Sequence, residues 1–522
     1  LPSAAARRED NAVIEYHLPP YVLKNPRTRI VCTLGPASSS TAVIAKLIEA
    51  GMSVARINLS HSTHDVHRQT IANVRRVAGE RELPIAILTD LPGPKYRLGQ
   101  LPDAGIKAGD GSRFTLTSGG DSAGPGRAPV VPAGLDRDVA AGDEILVDDG
   151  AITLVVESIR RGEILCRVVS GGVMKTRKAV AAPGRISNLP YITDETQAAL
   201  DFSIEQQVDF VGVSYVRSAD DIVKARAYIR ERGLDAQLIA KIELKQAVED
   251  MDAILSATDG VMVARGDLGV QMPYAMLPGV QKRLIRRSNE LGKVVITATQ
   301  MLESMVHAAS PTRAEVADIA NAILDGSDAV MLSAETSIGK HPVEATTVMA
   351  ETAREAEKLL DHEALVRRRA ARINQHVDEA IAYSACWTAA EIKATAIVAF
   401  TESGSTAARV SAFRPSVPIL ALYRDHAAGR RLALRWGVIS LEAPRFNSVQ
   451  WMFYEAARAA KKTGLARDGD YIAALVGMPI GVPGHTNLLR VISVPEPKPP
   501  FSPSLIGPRT ATATRRHPRS RD

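Results

Sequence analysis

At 522 residues, 45% hydrophobic and 23% charged, the chain is long enough for two to four globular domains. It contains no apolar run near the roughly 18–20 residues needed to span a bilayer, and its aromatic residues, at 4%, are sparse for a base-stacking platform. Of the net charge of +6, residues 508–522 carry +4 through five Arg and one Asp, so the +2 left for the rest argues against a basic nucleic-acid face. Cys32, Cys166 and Cys386 are far apart and odd in number, which fits neither a disulfide framework nor a zinc spacing and points to a reducing compartment. The first residue is Leu1 instead of Met; a cytoplasmic location is expected, with an organelle as the alternative if a targeting segment precedes it.

In chain order, residues 1–27 are a mixed lead-in. A β/α rhythm then begins, with apolar runs that read as buried strands at 29–35, 54–60 and 85–91 and helical stretches at 41–50 and 64–78. After a break it resumes with strands at 210–216, 237–243, 260–266, 294–300 and 329–335. Helices at 218–231, 245–256, 280–291 and 313–324 separate these, and another follows at 342–360. Eight doubly buried strands alternating with helices predict a parallel sheet closed as a (β/α)8 TIM barrel over 28–91 and 185–361. The break, 92–184, is rich in Gly, Pro and Asp with short strands such as 145–147 and 152–156; it reads as a small β-barrel-like domain inserted at the catalytic face, placed to act as a lid. Residues 362–495 form a separate α/β domain, and 496–522, with six Pro, are expected to be a disordered tail.

Polar residues gather at the C-terminal ends of the strands, the face on which barrel active sites lie. They are Arg56, Asn58, Ser60, Asp90, Lys241, Glu243, Asp267, Thr299, Ser333 and Glu335. Lys241 and Glu243, two apart on a strand, share one face. Two readings stand for them. One is a structural ion pair. The other is an ammonium that neutralises a transferring phosphoryl group, beside a Glu243/Asp267 pair of the kind that holds Mg2+ together with water and substrate oxygens. ARGDLG (264–269) turns into a Gly-rich segment whose N–H groups suit an anion, although Gly-Asp turns are common. ARINLSH (55–61) offers Arg56 to a phosphate and Asn58 and Ser60 to a cation, or all three to cross-strand hydrogen bonds. The helical stretch 313–324 is scaffold by its periodicity.

KIE (241–243), VARGDLG, ATQMLESM and the long string from PTRAE to DAVMLSAET, preceded by ARINLSH and TDLPGPKYR, resemble the pyruvate kinase family over roughly residues 28–495. The resemblance implies a barrel domain, a β-rich domain inserted after its third strand, and a C-terminal regulatory domain. It implies phosphoryl transfer from phosphoenolpyruvate to ADP, giving pyruvate and ATP, with Mg2+ (or Mn2+) as cofactor and a homotetrameric assembly. By matching position, Lys241 stabilises the transferring phosphoryl group, Glu243 and Asp267 hold the divalent cation, Gly266, Asp267 and Thr299 receive the substrate carboxylate, and Arg56 meets its phosphate. Asn58, His61, Arg97 and Lys178 lie toward the nucleotide. Thr299, through water and Ser333 and Glu335, is the candidate route for the proton delivered to the enolate.

Several positions depart from the family pattern. Members that need K+ hold it with positions matching Asn58, Ser60, Asp90 and the Leu91 carbonyl, and many have Glu where this chain has Lys95. An ammonium there can supply the monovalent charge, so K+ is expected not to be required; a solvated surface lysine is the alternative. KIELKQA, with Leu244, Gln246 and Ala247, differs after the metal position. Ala181 replaces an Asn at the closing hinge of the insertion, and Leu83 replaces an Arg near the nucleotide, which leaves the diphosphate preference open. TESGSTAARVSAFRP (401–415) resembles the effector-phosphate loop, with Thr401, Ser403, Ser405 and Thr406 as its hydroxyls. Glu402 is a like charge to phosphate, so weak or no activation by fructose 1,6-bisphosphate is expected, with a sugar monophosphate or nucleotide monophosphate as effector, or no ligand at all. A metal-assisted aldol enzyme on the same barrel would lack the insertion at 92–184, and a catalytically weak homologue would not retain Arg56, Lys241, Glu243, Asp267 and Thr299 together.

Overall fold

The computed structural model describes residues 15–498 except 121–122, 149, 186, 371–372, 374–375, 447 and 483. Residues 1–14 of the lead-in and 499–522 of the tail lie outside the described residues. Eight parallel strands close into a barrel: Arg29–Thr33, Met52–Asn58, Ala86–Asp90, Phe210–Val213, Gln237–Ile242, Gly260–Ala264, Val294–Ala298 and Ala329–Leu332, the last pairing with the first. All eight runs read from the sequence are strands. Several end two or three residues early; those ending at Val213, Ala264, Ala298 and Leu332 stop where Ser214, Arg265, Thr299 and Ser333 begin a loop or helix. Gly266 and Asp267 therefore stand in the helix Arg265–Gln271, and Glu335 in the four-residue helix Ala334–Ser337. The helix Asp194–Glu205, which follows the insertion, has no counterpart among the elements read from pattern.

The strand period of two explains where the charges go. Val31, Val54, Leu88, Phe210, Ile239, Met262, Ile296 and Met331 fill the barrel interior, while their neighbours Ile30, Cys32, Ala55, Ile57, Leu238 and Ala240 pack against the surrounding helices. One inward step further up the same rows come Thr33 after Val31, Arg56 after Val54, Asp90 after Leu88 and Lys241 after Ile239. The polar cluster is thus the top layer of the barrel interior, resting on apolar layers.

The insertion after the third strand is a second closed barrel of seven short strands, bounded by Tyr96–Leu98 and Ala179–Ala181 and built on its own core around Phe114, Leu116, Ile145 and Val168. The C-terminal domain is a five-stranded sheet in the order Val438–Glu442, Ile419–Tyr423, Ala396–Thr401, Tyr471–Gly477, Thr486–Ser493, with only the last strand antiparallel. The lead-in contributes to this domain: Tyr16 and Leu18 are buried in the core on one face of the sheet.

The C-terminal domain also closes the bottom of the eight-stranded barrel. Its one-turn helix Leu432–Leu434 places Ala433 and Leu434 in the same apolar cluster as the barrel interior. Ion pairs ring the contact, Arg430 to Asp209 at 2.7 Å and Arg414 to Asp328 at 2.9 Å, and Arg435 donates to the Gly292 carbonyl. Leu434 is fully buried. Leu434→Ala should lower stability by about 2–5 kcal/mol, the usual range for a cavity of this size, seen as a lower urea midpoint with both domains still folded by circular dichroism.

Candidate active site

Lys241 sits at the end of the fifth barrel strand with its ammonium against three oxygens: Ser214 Oγ at 2.8 Å, Glu243 Oε1 at 2.8 Å and Asp90 Oδ1 at 3.0 Å. Asp90 is 1% exposed and also receives Arg56, from Nε at 2.7 Å and from the terminal guanidinium nitrogen at 2.5 Å. Arg56 is fixed from its other side by Thr33 Oγ1, which accepts its NH1 at 2.8 Å. Burial alone would raise the Asp90 carboxyl, but Lys241 and Arg56 outweigh it and hold the group down at about 2. Burial likewise opposes charge on Lys241, and the Asp90 and Glu243 carboxylates reverse this, leaving its pKa above the ordinary lysine value. The ion pair that was one reading of KIE is present; it belongs to a larger array.

Glu243 follows the strand directly and is 1% exposed; burial pushes its carboxyl above the usual range against the pull of Lys241. Its second oxygen accepts the backbone N–H of Tyr215 at 2.6 Å. The Tyr215 hydroxyl in turn donates to Asp267 Oδ1 at 2.8 Å, so one residue spans both candidate metal ligands. Lys95 reaches the same Asp267 oxygen at 3.3 Å, with its ammonium 4.1 Å from the centre of the Tyr215 ring. Burial would raise the Asp267 carboxyl; Lys95, Lys241 and the Tyr215 hydroxyl hold it below its usual value. Among the described residues Lys95 makes its one ion pair with Asp267, and not with Asn58, Ser60, Asp90 or Leu91.

Thr299, on the loop after the seventh strand, receives the Gly266 N–H on its hydroxyl at 2.8 Å, and its carbonyl takes Arg265 at 2.7 Å. Arg265 is itself held by Asp318 of the helix Arg313–Leu324. That helix opens with a capping box, Thr312 with Glu315, and Glu315 also accepts the Ser304 N–H at 2.7 Å, so the PTRAE string anchors the loop. Glu335, fully buried, accepts the N–H groups of Leu302 at 3.0 Å and Ser333 at 2.7 Å and ties the ends of the seventh and eighth strands together. Tyr215, Thr299 and Gln300 all have positive φ, 54°, 69° and 53°. For non-glycine residues this stores strain of order 1–3 kcal/mol each, and it lies just beyond the fourth and seventh strands.

The remaining residues expected from the sequence are spread over the barrel, the insertion and the C-terminal domain. Asn58 accepts the Ser60 N–H at 3.2 Å at the end of the second strand, with His61 beyond, and Leu91 follows Asp90. Burial and the charges of Arg97, Arg56 and Lys95 lower the His61 pKa, which marks a cationic mouth. Arg97 and Lys178 belong to the inserted barrel; Arg97 donates to the Arg177 carbonyl and Lys178 pairs with Asp148. The insertion meets the barrel in a cleft lined by Lys95, Tyr96, Val180, Ala181, Tyr215 and Asp267. Thr401, Ser403, Ser405 and Thr406 are elsewhere, on the C-terminal domain, around Gly404 at φ 90°. There Thr406 bonds Thr486, Arg424 reaches Glu402 at 3.5 Å, and the buried Thr401 hydroxyl is without a hydrogen-bond partner among the described residues.

Thr33, Ser214, Tyr215 and Arg265 were not singled out from the sequence. The strand-end rule that found the others applies to Ser214 and Tyr215, but a strand read through 216 concealed them. The fit to a divalent cation rests on the donor set. Glu243 is a buried and Asp267 a half-buried carboxylate, joined through Tyr215, the usual protein share of a Mg2+ site. Among the described residues no group of three or more acidic, His or Cys side chains gathers as a closed cage, so a cation held by this pair would need water or ligand oxygens to complete its shell.

A pyruvate kinase barrel-domain family model matches residues 25–346, and one for the pyruvate kinase alpha/beta domain matches 379–492. The chain belongs to the pyruvate kinase family. A pyruvate kinase of Geobacillus stearothermophilus is 43% identical over 468 residues, covering 89% of this chain and 80% of the relative. One of Clostridium acetobutylicum is 37% identical over 467 residues, covering 89% and 99%. A crystal structure of a pyruvate kinase from Cryptosporidium parvum superimposes with a TM-score of 0.85 at 34% identity, covering 91% of this chain and 97% of that one. No helix among the described residues is long and apolar enough to cross a membrane.

Asp90→Asn keeps the shape of the site but removes the charge shared by Arg56 and Lys241. At pH 7 it should cost about 3–5 kcal/mol, as unpaired buried charges do. Because the folded-state value of Asp90 is depressed to about 2, its contribution is complete above the unfolded value near 4 and is lost as pH falls toward 2. The difference between the two proteins' urea midpoints should therefore narrow across that interval, by the roughly 2–3 kcal/mol that such a shift carries.

Proposed function

We propose that this pyruvate kinase moves the phosphoryl group of phosphoenolpyruvate to ADP with Lys241 facing the transferring group, Arg56 facing its phosphate, and Glu243 and Asp267 as the divalent-cation pair. The observation that carries the reading is the buried contact of Lys241 with both Glu243 and Asp90, in an array whose charges cancel: Arg56, Lys241 and Lys95 against Asp90, Glu243 and Asp267. A divalent cation bound by the carboxylate pair would supply Lewis-acid charge to the enolate oxygen as the phosphoryl group leaves. It would also bring the array to a net charge of +2, suited to a substrate that carries both phosphate and carboxylate.

The chain's own residues do the rest. Gly266 and Thr299 receive the substrate carboxylate at the start of the helix Arg265–Gln271, and Asp267 is directed there by Tyr215. Lys241 meets charge that develops on the phosphoryl oxygens from a position already desolvated and fixed by three partners, so little reorganisation is needed during transfer. The Thr299 hydroxyl begins the proton route to the enolate carbon, with Ser333 next, and Glu335 acts by holding their two loops together. Asn58, His61, Arg97 and Lys178 face the nucleotide from the barrel and the lid. A homotetramer, and an anionic effector at the Thr401–Thr406 loop other than fructose 1,6-bisphosphate, belong to the same reading; the loop's Glu402, held by Arg424, stands against a second phosphate.

The same charge count argues that K+ is not needed. With a carboxylate at position 95 the array would carry −2 and call for a further cation; Lys95 removes that deficit. Pyruvate formation from phosphoenolpyruvate and ADP, followed with Mg2+ and tetramethylammonium as the only other cation, should proceed at nearly the rate seen when K+ is added. Strong stimulation by K+ would refute the role of Lys95, and no pyruvate under either condition would refute the activity.

A further inference from the structure

Tyr215 touches Glu243, Asp267 and Lys95 together, and the proposed chemistry uses it only to direct Asp267. Its backbone N–H goes to Glu243 Oε2 at 2.6 Å, its hydroxyl to Asp267 Oδ1 at 2.8 Å, and its ring lies 4.1 Å beneath the Lys95 ammonium. The position is enforced from two directions. Its φ of 54° is a left-handed conformation that a bulky side chain adopts only when the surroundings over-determine it. Gly93, at the entry to the inserted barrel, lies so close that a Cβ there would stand 2.5 Å from Tyr215 Cδ2 and 2.9 Å from its Cβ. Only a glycine lets the chain cross the ring at that point, so lid entry and ring are held in contact.

We propose that Tyr215 is a positioning residue with two separable parts. Its hydroxyl holds Asp267 in register with Glu243 as a divalent-cation pair, and its ring face is the seat that keeps Lys95 in the site in place of a monovalent cation. This rests on the reading of Glu243 and Asp267 as the cation pair. The two parts follow from the chemistry of the contacts. Removing the hydroxyl leaves Asp267 with Lys95 but without the fixed donor that sets its rotamer, and carboxylate ligands lose affinity when their orienting partner goes. Removing the ring takes away the cation–π contact, worth more in a desolvated cleft than at a surface, and frees the Lys95 stem to leave. Both Tyr215 and Lys95 meet Asp267 at Oδ1, so the hydroxyl and the ammonium act on the same atom.

Tyr215→Phe and Tyr215→Leu separate the parts, with Glu243→Gln as the control on the underlying reading. Binding of Mn2+ to each full-length protein without substrate is measured from the free-ion EPR signal, and turnover is measured with and without K+. Tyr215→Phe should weaken Mn2+ binding by about 10–100-fold, raise the KM for metal more than it lowers kcat, and remain indifferent to K+. Tyr215→Leu should lose Mn2+ affinity in the same way and, in addition, regain turnover when K+ is supplied. A Tyr215→Phe protein that binds Mn2+ as tightly as the unaltered chain, while Glu243→Gln does not, overturns the hydroxyl's role and leaves the cation pair standing. A Tyr215→Leu protein no more responsive to K+ than Tyr215→Phe overturns the ring's role. Native Mn2+ affinity in Glu243→Gln overturns the cation-pair reading and this inference with it.

Discussion

An ammonium removed from water and held by two carboxylates and a hydroxyl is the constraint on which the catalytic face depends. Desolvating Lys241 is expensive, and the penalty is offset only while Asp90, Glu243 and Ser214 stay within hydrogen-bond distance. Those partners are then committed: Asp90 carries Arg56 as well, and Glu243 carries the Tyr215 backbone. A chain of obligations therefore runs from the second strand to the sixth, and each member fixes the next. Such an array is stiff because every departure leaves a buried charge uncompensated. It is a ready host for a metal and a polyanion because its own charges cancel.

The fold supplies rigidity from below and restraint from above. Apolar layers fill the barrel up to the level of the charges, and the C-terminal domain seals the base with Leu434. Above, the loops after the strands carry the strain, at Tyr215, Thr299 and Gln300, and the buried Glu335 and half-buried Glu315 accept their backbone N–H groups. Strained loops on a well-packed scaffold give the site a fixed geometry. The inserted barrel enters at Gly93, against the Tyr215 ring, so the insertion begins beside the residue that meets both Glu243 and Asp267.

Much of this was legible in the sequence because the signals were local. Runs such as RIVCTLG and GVMVARG are too uniformly apolar for surface strands, and their spacing with helices leaves a closed parallel barrel as the natural solution. Charged residues at the ends of such runs had to share one face, which is why Arg56, Asp90, Lys241 and Glu243 were found together. What the sequence did not reveal was set by tertiary contact. Asp267 was read as the end of a strand and in fact opens a helix, because a Gly-rich turn reads the same either way. Tyr215 was hidden inside a strand that stops at Val213. The partner of Lys95 is 172 residues away, beyond any periodicity argument, and it is Asp267 instead of Asn58, Ser60, Asp90 or Leu91, the positions expected for a monovalent ion.

The most direct measurement compares Lys241→Met with the unaltered enzyme for binding and for turnover separately. Mn2+ and phosphoenolpyruvate should bind within a few-fold of normal, since Glu243, Asp267, Arg56 and Thr299 are retained, while turnover falls by about 10²–10⁴-fold or more through loss of charge stabilisation confined to the transition state. Near-native turnover in that variant would contradict the place given to Lys241, and with it the reading of the array as the centre of phosphoryl transfer.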